Sequence, residues 1–116
     1  MSMLPPVFNM RGIGSETFRI VVTDDAQEFT LAQYASNGQP AIAAFITCED
    51  HGVRYCFGGA TPTEGGTGLG HVLPANGDIY LNNSQLIQTF SFINEAAQSA
   101  AVIQVTMEFE IGTDMT

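Results

Sequence analysis

From Ile103 to Ile111 the chain alternates without a break. Ile103, Val105, Met107, Phe109 and Ile111 are large and apolar, while Gln104, Thr106, Glu108 and Glu110 between them are polar. Successive side chains of an extended chain point to opposite sides, so this run carries one greasy face and one wet face, as a half-buried antiparallel strand does. Such a strand needs neighbours for its backbone and a second layer to cover its apolar face. The alternation thus commits the chain to layered β structure.

The same reading extends over most of the chain. Phe18, Ile20 and Val22 share a face within 17–23, and Ile79 and Leu81 repeat the pattern after Gly77-Asp78. The runs 41–48 and 53–57 flank Glu49-Asp50-His51-Gly52, which reads as a tight hairpin with Gly52 supplying positive φ. A shorter strand at 27–31 follows the Asp24-Asp25 turn. Residues 84–101 admit two readings. Leu86, Ile87, Phe90, Ile93 and Ala97 have helical spacing, with Ser84 as N-cap. Alternatively, a short turn over 82–86 leads into a strand over 89–93, with 96–99 as the following connection. A helix burying Phe90 would turn Phe92 to solvent, so the strand is preferred.

No long helix is left to supply a covering layer. The expected fold is all-β: a two-sheet antiparallel β-sandwich, jelly-roll-like, of seven or eight strands. A chain of 116 residues has the length of one domain. It divides into an extended N-terminal arm (1–16), the sandwich (17–112) and a short C-terminal tail (113–116).

Charge excludes several functions. Twelve acids face three bases, Arg11, Arg19 and Arg54, with no lysine, for a net charge of −9. Without lysine there is no phosphate-binding P-loop, no Schiff-base amine and no polybasic stripe. The surplus of acid repels nucleic acid and anionic membranes, so neither is an expected partner. No run of 18 apolar residues exists, and the N-terminus lacks the basic flank of a secretory signal. Cys48 and Cys56 read as reduced thiols in a protein made in a cytoplasm.

Candidate chemistry is sparse. Cys48, His51, Cys56 and His71 are the soft metal ligands, but their positions give no converging pairs, so neither metal nor other cofactor is expected. In the expected hairpin Cys48 lies opposite Arg54 and Cys56 opposite Ile46, which suits neither a disulfide nor a Cys–His nucleophile. Glu108 and Glu110 share a strand face, as glycosidase carboxylates might, yet nothing around them raises a pKa. Gly66-x-Gly68-x-Gly70 does not match the dinucleotide fingerprint and reads as turns and close chain approach. Asn82-Asn83-Ser84 fits a glycosylation sequon, which means nothing without a secretory route. No catalytic motif emerges, and the chain is not expected to be an enzyme.

The N-terminal segment stands apart. Met1, Met3, Leu4, Val7, Phe8 and Met10 are apolar without periodicity, and Pro5-Pro6 favour an extended course. Fourteen such residues reach up to ~45 Å. The expectation is an arm docked on a neighbouring chain through Met3, Leu4, Pro5, Pro6, Val7, Phe8 and Met10. Arg11, Arg19 and Arg54 are expected near an interface or paired with acids, with Arg11 and Arg54 as partner contacts.

Val53-Arg54-Tyr55, Gly59-Ala60-Thr61-Pro62-Thr63, Gly70-His71-Val72-Leu73 and Gly77-Asp78-Ile79-Tyr80-Leu81 form a pattern that resembles small virion proteins of tailed bacteriophages. Thr89-Phe90-Ser91-Phe92-Ile93 and Ala101-Val102-Ile103-Gln104-Val105-Thr106 are similar to the closing strands of those proteins. The resemblance spans about residues 17–111. The chain departs from it in the extra glycines between Thr63 and Gly70 and in Cys56-Phe57, where polar residues are usual. It implies a decoration (cement) protein on the capsid surface, bound to the major capsid protein and to its own copies as a dimer or trimer. The alternative is a tail- or fibre-associated β-sandwich that binds glycan or another tail protein. The absence of tryptophan weighs against a sugar platform and leaves Tyr34, Tyr55 and Tyr80 as stacking candidates.

Overall fold

The structure is a computed structural model that describes Gly12 to Ile111. In chain order the elements are β1 (Gly12–Val21), β2 (Gln27–Glu28), the one-turn helix α1 (Leu31–Tyr34), β3 (Ala35–Ser36), β4 (Gln39–Pro40), β5 (Ala43–Glu49), β6 (Val53–Cys56), β7 (His71–Leu73), β8 (Asp78–Leu81), the short helix α2 (Ser84–Gln88), β9 (Ser91–Asn94) and β10 (Val102–Ile111). One four-stranded sheet has the order β1-β10-β5-β8, the other β2-β9-β6-β7, and β3 and β4 form a small hairpin. Every pairing is antiparallel.

Setting the hairpin aside, the first strand pairs with the last (β1·β10) and the second with the second-last (β2·β9). Inside these, β5 pairs with β8 and β6 with β7. This is one long antiparallel ribbon rolled up until β10 meets β5 and β9 meets β6. The fold is therefore the jelly roll within the expected β-sandwich class.

The alternation sets the core. Ile103, Val105, Met107 and Phe109 of β10 are buried, together with Ile46 and Cys48 of β5, and Phe18 and Ile20 of β1 pack against the same core. The second sheet contributes Val53 and Phe92, and Phe92 meets Phe29 and Phe90 in an aromatic cluster. Phe29 and Phe90 stack at 5.6 Å, and Phe92 lies 5.5 Å from Phe29. Removing Phe90, fully buried at the centre, costs roughly 3–5 kcal/mol by transfer and cavity terms together.

Several boundaries differ from expectation. β1 begins at Gly12, so residues 12–16 of the expected arm pair with Ile111 to Met107 of β10. The 49–52 segment is not a hairpin. β5 and β6 belong to different sheets, and the segment carries the chain across the sandwich. Asp50, not Gly52, has positive φ (72°). Gly52 is required for space, because a Cβ there would run into the Glu95 carboxylate and lie 3.1 Å from the Leu73 carbonyl oxygen. Cys48 and Cys56, on strands of opposite sheets, are both buried and free, and the register that set them opposite Arg54 and Ile46 does not exist.

The strand expected over 27–31 shortens to two residues. Thr30 then caps α1, its hydroxyl accepting from Gln33 N while the Gln33 side chain accepts from Thr30 N. In the contested region the strand reading holds for Ser91–Asn94, preceded by α2 over Ser84–Gln88. The cap of α2 is Asn83, not Ser84, with Asn83 Oδ1 accepting from Leu86 N at 2.8 Å.

Candidate functional site

The two sheets treat their outer faces differently. The outer side of the second sheet is largely covered by the protein's own chain, only Val72 at edge strand β7 staying exposed among its large apolar residues. Residues 57–70, the glycine-rich crossover between β6 and β7, fold back over it and bury Ser91 and Ile93 of β9 as well as Cys56 of β6. Ser91 Oγ donates to the Ala60 carbonyl at 2.7 Å, and Pro62 is fully buried. The crossover closes on itself through Thr63 N to Leu69 O (3.1 Å) and Leu69 N to Thr63 Oγ1 (2.7 Å).

Arg54 fastens this strap. Its Nε donates to Gly65 O at 3.2 Å and its Nη1 to Gly70 O at 2.9 Å. A Cβ on Gly68 would strike the Thr63 carbonyl and lie 2.9 Å from Arg54 Nε, while one on Gly70 would lie 2.9 Å from Tyr55 O. These glycines permit close chain approach. Arg54, expected as a partner contact, is half-buried and spends its guanidinium on these two internal hydrogen bonds. The other expected partner residues, Met3, Leu4, Pro5, Pro6, Val7, Phe8, Met10 and Arg11, lie outside the described residues.

The outer face of the first sheet stays open. The register places Thr17, Thr106, Phe45 and Tyr80 in one row across β1, β10, β5 and β8, and Arg19, Gln104, Thr47 and Asp78 in the next. Phe45 is 40% exposed and Tyr80 55%. Thr17 and Thr106 share a hydrogen bond of 2.9 Å between their hydroxyls. Tyr80 reaches over β5 to donate to Glu108 Oε1 at 3.1 Å, and that bond raises the phenol's pKa. The apolar run 41–48 does not by itself set Phe45 apart from Ala44 and Ile46. The exposed aromatic pair needed the β5–β8 register, which no local pattern encodes.

A polar cluster that sequence reading missed sits where the strap meets the other loops. Asp24 Oδ1 accepts from Asn94 Nδ2 (2.9 Å) and from Gln98 N (2.8 Å), and buried Asn94 Oδ1 accepts from Ala101 N (3.0 Å). These bonds, the Asn94 amide first, hold the Asp24 carboxyl below its ordinary pKa. Glu64 comes from the strap to lie near Asp24, with its Oε2 buried and without a hydrogen-bond partner. Desolvation first, then the charge of Asp24, pushes Glu64 upward. Residues 40 and 70 positions apart meet here only because the ribbon is rolled.

The remaining candidates stay apart. Cys48 Sγ donates to the His51 carbonyl at 2.9 Å, and burial pushes its pKa up to about 11, the opposite of an activated thiol. Among the described residues no three of His, Cys, Asp and Glu lie together as a metal site would require. A shallow hollow of ≈ 420 Å³ is lined by Cys56, Phe57, Ala60, Leu69, Gly70 and His71, with the Tyr55 ring 5.4 Å from that of His71 and the Cys56 thiol buried. No described helix is long and apolar enough to cross a membrane.

A scan of protein-family models, a search of curated proteins and a search of solved structures each find no match to this chain.

Proposed function

We propose that this protein is a structural component of a tailed-phage virion. It acts as a non-enzymatic decoration (cement) protein, made in the host cytoplasm, that binds the capsid surface through apolar arm and sheet contacts to the major capsid protein and to its own copies. The observation that carries the reading is the unequal treatment of the two sheets. One outer face is largely covered by the chain's own strap, with Val72 exposed at its edge, while the other presents Phe45 and Tyr80 on a four-stranded surface. A sheet face with exposed aromatics and a rim of polar residues suits docking onto another protein. The jelly roll recurs in capsid proteins, and the sequence pattern points the same way.

Quantitative mass spectrometry of purified particles tests the reading. It predicts on the order of hundreds of copies per particle, as repeated capsid sites require, and lost binding when residues 2–11 are deleted. About a dozen copies, or undiminished binding of the shortened protein, contradicts it.

A second reading has one observation in its favour. Tyr80 offers an exposed ring beside the Glu108 carboxylate, a pairing that can stack on and hydrogen-bond a sugar, as in a glycan-binding fibre module. Low copy number together with Tyr80-dependent glycan binding selects it.

A further inference from the structure

One row of the open face of the first sheet is self-complementary in charge. In the row Arg19, Gln104, Thr47, Asp78 a cation stands on edge strand β1 and an anion on edge strand β8. Both are exposed, and no hydrogen bond or ion pair engages either side chain among the described residues. Three strand spacings, roughly 14 Å, separate them, so they cannot pair within one chain.

A 180° rotation about an axis parallel to the strands and above this face reverses the strand order. It sets β1 of one copy over β8 of another, and β10 over β5. From this we infer that the face packs against the same face of a second copy, with Arg19 of each chain on Asp78 of the other. The inference rests on the reading of this face as a docking surface and names its occupant.

The other rows agree. Thr17 meets Tyr80 and Thr106 meets Phe45, so the exposed aromatics are covered symmetrically. Glu108 is registered with Ala43 and Glu49 with Val102. Under the same rotation each acid meets an uncharged residue of the second copy, and no like charges in these rows are brought face to face. The strands of the two copies run nearly aligned, the ordinary arrangement of packed sheets. The face measures roughly 20 by 25 Å, so two copies together bury on the order of 1,000 Å², at the lower bound for a specific interface. The arm is then left for the capsid.

Sedimentation velocity on the full chain decides this, at about 0.15 M salt to screen the net negative charge and over roughly 1–100 µM. The wild type is expected to form a dimer. Arg19→Asp and Asp78→Arg each place like charges at both ends of the row and should weaken it at least about tenfold. An equimolar mixture of the two variants recreates both opposite-charge pairs and should restore a dimer to near wild-type affinity. A wild type that stays monomeric, or a mixture no tighter than either variant alone, overturns the pairing. A monomeric wild type leaves the capsid reading to its own test, whereas a dimer absent from particles supports the pairing and overturns the capsid reading.

Discussion

Asp24 and Glu64 feel each other's charge, yet their surroundings push them in opposite directions, and the signs of their pH effects differ accordingly. Asp24, lowered by its Asn94 and Gln98 hydrogen bonds, stabilises the fold above its ordinary value of 3.8; that contribution is lost as pH falls through the depressed one. Glu64, raised by desolvation and by Asp24, binds its proton more tightly in the folded chain. Its contribution is full below its ordinary 4.5 and is lost as pH rises through the elevated value. At neutral pH the Glu64 charge therefore works against the fold. Glu64→Gln supplies an amide N–H donor near Asp24 and removes that charge. Thermal melts should show the variant more stable than the wild type at pH 7, with the gain vanishing near pH 3.5. An equal gain at both pH values would show that the charge of Glu64 is not its cause.

At the scale of elements, the glycine-rich crossover is held as a strap by one side chain. Arg54→Ala removes two charge-assisted hydrogen bonds and leaves the carbonyls of Gly65 and Gly70 without them, a loss of roughly 2–3 kcal/mol for a half-buried cation. The strap should open before the sheets do. Hydrogen exchange should quicken at Thr63, Gly65 and Leu69, whose amides bond within or beneath the strap, while β10 keeps its protection. Uniform loss of protection would mean that Arg54 supports the whole sandwich. Sequence reading recovered β1, β5, β6, β8 and β10 because each carries its own period-2 pattern or apolar run. It failed where the deciding contact is distant. Glu49-Asp50-His51-Gly52 looks like a hairpin turn locally, but Gly52 is needed by Glu95 and Leu73, whose positions only the fold supplies. The β3–β4 hairpin was legible and passed over: Asn37-Gly38, with φ of 52° and 78°, is the usual two-residue hairpin turn. β7 was lost among glycines because three residues are too few to show alternation.

For the whole molecule, rolling one ribbon into two sheets creates two outer faces, and only one is largely covered from within. On the proposed reading the exposed row of Phe45 and Tyr80 is the docking surface, whether a second copy or the capsid lies on it. It was not legible in the sequence, since it depends on which sheet the crossover lies over. Hydroxyl-radical footprinting read by mass spectrometry tests it most directly. The dilute, dispersed protein is compared with the same protein in assembled particles. Phe45 and Tyr80 should be oxidised in the dispersed chain and strongly protected in the particle, while Leu69, 56% exposed on the strap, changes little. Equal oxidation of Phe45 and Tyr80 in both states would contradict the account.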